Sequence, residues 1–284
     1  MPDFGIFRGF NSKLFSDKLF AGQLPTQLGR ITYNGLLDFY PNAVAAYSVR
    51  KLRGAYTGSA IRVRRSSDNT EQDIGFTVAG DLETSSLTLF CGSGNGFVTT
   101  WYDQSGNGNN AVQTTALSQP IIVSGGTVIL QNSIPTLQFD GSNSFFSGTI
   151  TTSGAYTNYA VCYLNNVSGY RGIFTTSQMM LLANTSTNKW GTFGLAEYSA
   201  NTSIKNLYSI ITMLSTAGTS GTFYLNGATD GTFNLSEKQT GALIGGISGQ
   251  RFSGKIQEII FWNVNHSSNI AGIQDNNNTY YGIY

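Results

Sequence analysis

The sequence predicts an all-β fold: two sheets packed face to face, with a few short helices and an extended N-terminal arm. Three observations carry this. The 34 glycines of the 284-residue chain lie among many Thr, Ser and Asn, the composition of numerous tight turns. From residue 112 onward, short runs rich in Val, Ile, Phe and Tyr recur between turn signals: Gly125-Gly126, Asp140-Gly141, Asn226-Gly227, Asp230-Gly231 and Ser253-Gly254. Aromatic residues make up 13%, which gives the apolar area for a large core that a disordered chain lacks.

Residues 1–32 form an arm of different character. Phe4, Phe7, Phe10, Phe15 and Phe20, with Ile6, Leu14 and Leu19, crowd a short basic stretch. Gly5, Gly9, Gly22 and Pro25 keep it from being one long helix. Such a stretch cannot bury these side chains on itself. It is expected to dock, on a neighbouring subunit in preference to its own domain. Residues 33–284 are then one sandwich domain. Within it, 42–53 reads as a helix capped by Asn42, with Val44, Ala45, Tyr47, Val49 and Leu52 as apolar positions. Residues 60–65 alternate Ile or Val with Arg and read as a strand. A short helix over 82–91 starts at the cap Asp81, and 97–102 is a strand. Further strands are expected at 119–123, 127–130, 136–140, 157–164, 171–175, 179–183, 190–195, 207–214, 221–225, 241–246 and 252–262. Ser267 or Ser268 caps a helix that closes the chain at Tyr281.

The stretch Phe223-Tyr224-Leu225-Asn226-Gly227, then Gly245-Gly246 and Phe252 to Trp262, resembles the closing strands of laminin-G-like and concanavalin A-like sandwiches. A concanavalin A-like jelly roll is therefore the expected architecture, and it speaks to fold rather than activity.

Composition excludes several partners. Charged residues are only 11%, against roughly 25% in an average globular protein. With a net charge of +1 there is no strong field to draw nucleic acid or a membrane surface. No apolar run approaches membrane-spanning length. No basic segment followed by an apolar stretch and a small-residue cleavage site opens the chain, so a secretory leader is not expected. Cys91 and Cys162 read as two buried thiols before a disulfide.

Charge and amide concentrate in two segments, Arg62 to Asn69 and Trp101 to Asn110. One reading makes them a sugar-facing loop. The weightier one is structural: Asp103 accepts hydrogen bonds from Arg64 or Arg65 and from loop amides, Gly106 and Gly108 turn the chain, and Asn107, Asn109 and Asn110 cap exposed backbone. Arg64, Arg65, Asp68, Trp101, Asp103, Gln104, Asn107 and Asn109 are thus expected to be a scaffold motif. Asp103 with its neighbouring Asn residues offers oxygens to Ca²⁺, but without regular loop spacing, so no metal is expected. The single histidine, His266, has no Cys/His cluster around it. No phosphate-binding glycine loop is present, and no cofactor is expected. Trp190 and Tyr198 are kept as possible sugar-stacking residues.

From Ala45-Ala46-Tyr47-Ser48-Val49-Arg50, through Arg64-Arg65-Ser66-Ser67-Asp68-Asn69, to Trp101-Tyr102-Asp103-Gln104-Ser105-Gly106-Asn107-Gly108-Asn109, the chain resembles the catalytic domain of family-54 α-L-arabinofuranosidases. The resemblance covers about residues 43–123. It implies a retaining glycosidase, which needs two carboxyl groups roughly 5–5.5 Å apart. It also implies a Glu on a mid-domain strand and an Asp after a Gly-Gly pair. The counterparts here read Gln178-Met179-Met180-Leu181-Leu182 and Gly245-Gly246-Ile247-Ser248, without an acid. Glu197 remains as a stray candidate. The expectation is therefore that no catalytic residues survive. The chain would be a non-enzymatic structural protein, similar in arrangement to the virion proteins of tailed bacteriophages. Its expected place is the virion, and its partners other virion proteins and copies of itself. Alternatives are a glycan-binding adhesin meeting a host-surface glycan, with an extracellular location, and an active arabinofuranosidase.

Overall fold

The computed structural model describes residues 33–284 apart from 153, 166–168, 177–179, 185–188, 194–196, 205, 217–219 and 235–239. The expected docking arm lies outside the described residues, and with it Phe4, Phe7, Phe10, Phe15 and Phe20. Helix α1 (Leu36–Phe39) precedes β1 (Ala43–Ser48), β2 (Ile61–Arg65) and β3 (Glu71–Ile74). Helix α2 (Thr84–Cys91) leads to β4 (Gly96–Trp101), β5 (Ala111–Val112), β6 (Ile121–Ser124), β7 (Thr127–Val128), β8 (Leu130–Gln131), β9 (Ile134–Pro135) and β10 (Leu137–Asp140). There follow β11 (Phe146–Thr151), β12 (Tyr156–Leu164), β13 (Tyr170–Thr175), β14 (Met180–Asn184), β15 (Lys189–Phe193) and β16 (Glu197–Ser199). The last elements are β17 (Tyr208–Ser215), β18 (Gly221–Leu225), β19 (Ala228–Phe233), β20 (Thr240–Ile244), β21 (Ser253–Trp262) and α3 (Ile270–Tyr281).

The strands form two antiparallel layers. In the first, β19, β18, β17, β12 and β21 pair in that order, and β1 and β10 share the far edge of β21. The second runs β16, β15, β14, β13, β20, β11, β5, β4, β2, β3. Strand β6 pairs with both β10 and β4, and so stitches one layer to the other. The core between them is aromatic. Phe174 of β13 meets Phe261 of β21 at 4.8 Å, Trp190 of β15 meets Phe223 of β18 at 4.9 Å, and Trp101 of β4 meets Tyr47 of β1 at 5.9 Å. This is the jelly-roll sandwich that the sequence predicts.

Burial differs between the layers, and the sequence shows why. β12, β17 and β21 are long, nearly continuous apolar runs, and are buried on both faces. Their inner face meets the second layer; their outer face is covered by α3. β11 and β3 instead alternate or expose most positions, because the outer face of the second layer is open.

α3 is fastened by a buried polar cluster. Arg50 Nε and Nη2 donate to the two oxygens of Glu258 at 2.9 and 3.1 Å, with both side chains almost wholly excluded from water. Ser48 Oγ (2.6 Å), Tyr281 OH (2.8 Å) and Tyr159 OH also donate to that carboxylate. Arg50 reaches on to Asn276 and Asn277 of α3 at 2.9 and 3.0 Å. Burial alone would raise the Glu258 carboxyl. The Arg50 charge and these donors outweigh it and hold the group below its ordinary value. His266, in the turn before α3, stands edge-on to Trp262 at 5.1 Å and to Tyr40 at 6.2 Å, and burial lowers its pKa. Cys91 and Cys162 are separate buried thiols, and burial pushes Cys162 up to about 12.

Several local expectations are corrected. Residues 43–48 form β1, not a helix. The run Ala-Val-Ala-Ala-Tyr-Ser has no polar face, and pairing with the centre of β21 outweighs its helical propensity. Asn42, expected as a helix cap, instead takes a left-handed turn at φ 66°. Glu83 rather than Asp81 begins α2, and Asn269 rather than Ser267 or Ser268 begins α3. Asp230-Gly231 and Ser253-Gly254 are not turns but lie inside β19 and β21. Gly254 is required there, since a Cβ would stand 2.1 Å from the Tyr163 carbonyl oxygen.

Replacing Arg50 by Met should destabilise the fold by about 3–5 kcal/mol, because Glu258 would stay buried without its countercharge; urea unfolding measures this. His266 binds its proton more weakly folded than unfolded. Its contribution is therefore complete above the unfolded value near 6.5 and is lost as pH falls through the lower folded value. Unfolding curves between pH 7 and 5 should show that loss, and His266→Phe should flatten it.

Candidate functional site

The Trp101 to Asn110 segment is built as a seam. Asp103, which is buried, accepts from Ala46 N (2.8 Å), Ser105 N (2.8 Å), Ser105 Oγ (2.7 Å) and Asn109 N (3.0 Å). Gln104 accepts from Leu52 N at 2.8 Å and donates to Ser48 O and Arg50 O at 3.2 and 3.0 Å. Asn107 Nδ2 donates to Ala43 O (2.9 Å), and Asn109 Nδ2 to Val44 O (2.8 Å). The segment thus closes the edge of β1 that β21 leaves unpaired. Trp101 is fully buried against Tyr47 and Phe146. Gly106 lies at φ 96°, with the Arg53 guanidinium where a Cβ would sit.

The two arginines expected on Asp103 are elsewhere. Arg64 donates to Gln119 (2.8 Å) and Asn69 (2.7 Å) and covers the Phe97 ring. Arg65 makes a two-point pair with Asp68 at 2.8 and 2.7 Å and covers Phe90. That hydrogen-bonded pair holds the Asp68 carboxyl well below its usual range. β2 is the reason: it runs in the second layer beside β4, and so aims these side chains away from the β1 seam.

The open face of the second layer is the surface left for a substrate. Register defines its rows, since residues opposite one another on paired strands share a face. One row runs Leu243 of β20, Thr175 of β13, Met180 of β14, Phe193 of β15 and Glu197 of β16. Leu243 and Thr175 are partly exposed, whereas the adjacent Ile244 and Phe174 are buried. Leu243 and Thr175 therefore face outward, and buried Thr192 of β15 faces inward. Trp190 is inward too, fully buried with its indole N–H on Asp230 at 2.8 Å. It presents no ring to a sugar, and the Tyr198 side chain lies outside the described residues.

Most described acids are committed elsewhere. Asp230 also accepts from Thr202 Oγ1 at 2.6 Å. Asp38 accepts from the amides of Gly35 and Gly54. Asp140 accepts three turn amides, from Ser142, Asn143 and Ser144. Tyr280 donates to Asp81. Glu71 and Asp73 share the outward face but are held by Arg62 at 2.7 and 3.4 Å, at the β3 end of the layer. Glu83 and Asp275 belong to helices α2 and α3, outside the sheet. Glu197 lies on β16, near the opposite end. Sequence patterning missed β16 because only three residues, Glu197 to Ser199, make it.

Comparison with known proteins gives this face a context. Residues 40–176 match the family model described as Alpha-L-arabinofuranosidase B, catalytic. A probable alpha-L-arabinofuranosidase B of Aspergillus flavus and the alpha-L-arabinofuranosidase B of Aspergillus oryzae are each 40% identical over 85 residues. That is 28% of this chain and 17% of each of theirs. Among solved structures, an arabinofuranosidase complexed with arabinofuranosyl-α-1,2-xylobiose superposes with a TM-score of 0.67 at 18% identity, covering 85% of this chain and 64% of that one. A family-54 α-L-arabinofuranosidase soaked with a cyclic sulfate inhibitor gives 0.66, also at 18% identity. At that identity the likeness shows the fold. The family model reaches just under half of this chain, so it is residues 40–176 that are similar to that family's catalytic domain.

These findings overturn the expectation of a non-enzymatic virion protein, and with it the virion location. The matching family model, the curated relatives and the solved structures named above are arabinofuranosidases. The adhesin alternative is likewise not favoured.

Replacing Asp103 by Ala should cost about 3 kcal/mol, because three amides and a hydroxyl lose one buried acceptor. Urea denaturation with unchanged m-value would register it.

Proposed function

We propose that this chain is a glycoside hydrolase of the α-L-arabinofuranosidase type, releasing terminal arabinofuranosyl groups from a polysaccharide outside the cell. The observation that carries the reading is the family match over residues 40–176, which takes in the Trp101 to Asn110 seam and the strands around it. The chain spans 64% of the solved arabinofuranosidase chains and 17% of the curated relatives, so activity and substrate are inferred for the domain alone.

The geometry is compatible with the reading. With one face of the first layer under α3 and the other in the core, the second layer offers an open sheet wide enough for several sugar units. Its outward side is apolar or weakly polar at Leu243 and Thr175, a surface suited to the flat faces of sugar rings. The motif does not touch substrate in this reading. It holds β1 and β4, and through β4 the second layer, in place.

The purified chain should release 4-nitrophenolate from 4-nitrophenyl α-L-arabinofuranoside at a rate above the buffer blank. A blank result with this substrate and with arabinose-substituted xylan would sink the proposal.

A further inference from the structure

Resting on the reading that a polysaccharide lies on the open face of the second layer, we infer that Arg251 binds a carboxylate carried by that polymer, the acid group of a uronate sugar. The loop that presents Arg251 follows β20. Gly245 N donates to Ile173 O at 2.8 Å, Gly172 N to Gln250 O at 2.8 Å and Phe252 N to Gly245 O at 3.0 Å, so the loop folds back onto β13 through its backbone. Gly246 allows this at φ 76°, since a Cβ there would stand 2.5 Å from Gln250 O and 2.9 Å from Gly172 Cα. Arg251 is thereby set beside Gly172, near the start of β13. Its guanidinium stacks on Phe145, 3.9 Å from the ring centre. Phe145 is half-buried and precedes wholly buried Phe146, whose neighbour Ser147 is exposed, so Phe145 lies on the outward side of β11. Val112 of β5, Ser147 of β11, Leu243 of β20 and Thr175 of β13 are register neighbours on that side, and none of them is buried. A polymer laid across these strands passes Arg251.

The guanidinium is placed as a receptor rather than as a fastening of the loop. Nη1 donates to Gly246 O, whereas Nε and Nη2 make no hydrogen bond to a described residue and are not enclosed. They form the planar edge that fits the two oxygens of a carboxylate. The ion pairs among the described residues belong to Arg50, Arg62 and Arg65, and none reaches Arg251. Asp140 is the described carboxylate whose charge acts on Arg251, but its Oδ1 is taken by the amides of Ser142, Asn143 and Ser144. Arg171 brings a second positive charge to the same rim, its Nη1 donating to Gly141 O at 3.2 Å and Arg251 O at 3.4 Å. Burial pulls the Arg251 guanidinium below its ordinary value, the cost of a cation partly withdrawn from water, and an incoming anion offsets that cost.

The test measures, by titration calorimetry at low salt, binding of the whole chain to glucuronoxylan and to the same polymer with its carboxyl groups reduced to hydroxymethyl groups. The wild type should bind the acidic polymer about tenfold more tightly. With a net charge of +1 the chain has no general field that would produce such a preference. Arg251→Gln should bind both polymers as the wild type binds the reduced one. Arg251→Lys, which keeps the charge but not the planar edge, should keep only part of the preference. Equal binding of the two polymers by the wild type, or binding of neither, overturns the inference, as does a preference that Arg251→Gln retains. Loss of both polymers in Arg251→Gln overturns it too, since that is loss of the loop's shape. Release of 4-nitrophenolate from 4-nitrophenyl α-L-arabinofuranoside by the wild type is followed in parallel. Activity without the preference removes only the role of Arg251, and the preference without activity removes only the hydrolase reading.

Discussion

The buried pair of Arg50 and Glu258 is the constraint on which the rest of the sandwich depends. A carboxylate in the middle of β21 is costly unless its lone pairs are filled and its charge is balanced. Here β1 supplies Ser48, the residue group just beyond it supplies Arg50, β12 supplies Tyr159 and α3 supplies Tyr281. Four parts of the chain, far apart in sequence, must arrive together for that one side chain to be tolerated. The Arg50 guanidinium also lies over the rings of Tyr280 and Tyr281, at 4.8 and 5.3 Å, so the helix is held by cation–π contact as well as by hydrogen bonds. The consequence is directional. α3 can cover only the outer face of the first layer, and the open face of the molecule is therefore that of the second.

The Trp101 to Asn110 seam completes what the ion pair begins. β1 is bonded to β21 on one side, and its other side would be an unpaired sheet edge. The amides of Gln104, Asn107 and Asn109 occupy the carbonyls of that edge, and Asp103 accepts its Ala46 amide. Because the seam leaves directly from β4, it ties the first layer to the second at the point where Trp101 and Tyr47 pack. A motif dense in Asp, Gln and Asn reads in isolation as a binding loop. Here its polar groups are consumed by backbone.

How much of this was legible follows from the kind of signal each element carries. β12, β17 and β21 are long apolar runs, and the sequence placed them within a residue or two. The Asn226-Gly227 hairpin was equally plain, with both residues at positive φ, 47° and 85°. β3 was missed because Glu71-Gln72-Asp73 is wholly polar and becomes a strand only through pairing with β2. β1 was misread because helix and strand compete evenly for Ala-Val-Ala-Ala-Tyr, and its register on β21 decides. In the site, the partners of Asp103 were not legible, since the direction of β2 that takes Arg64 and Arg65 away is a property of the sheet and not of the local sequence.

Motif reasoning asks which residue stands at a given place along the chain. A sheet surface asks which residues share a row, and rows cut across five strands spread over some seventy residues between Thr175 and Leu243. A reacting group can change strand without leaving the surface, provided the register keeps it on the outward side. An even number of residues along a strand preserves the face; an odd number, or a bulge, reverses it. In this chain no register shift falls among the paired residues of β14, β15 and β16. The open face of the second layer, rather than any one strand of it, is the unit on which the proposed site has to be sought.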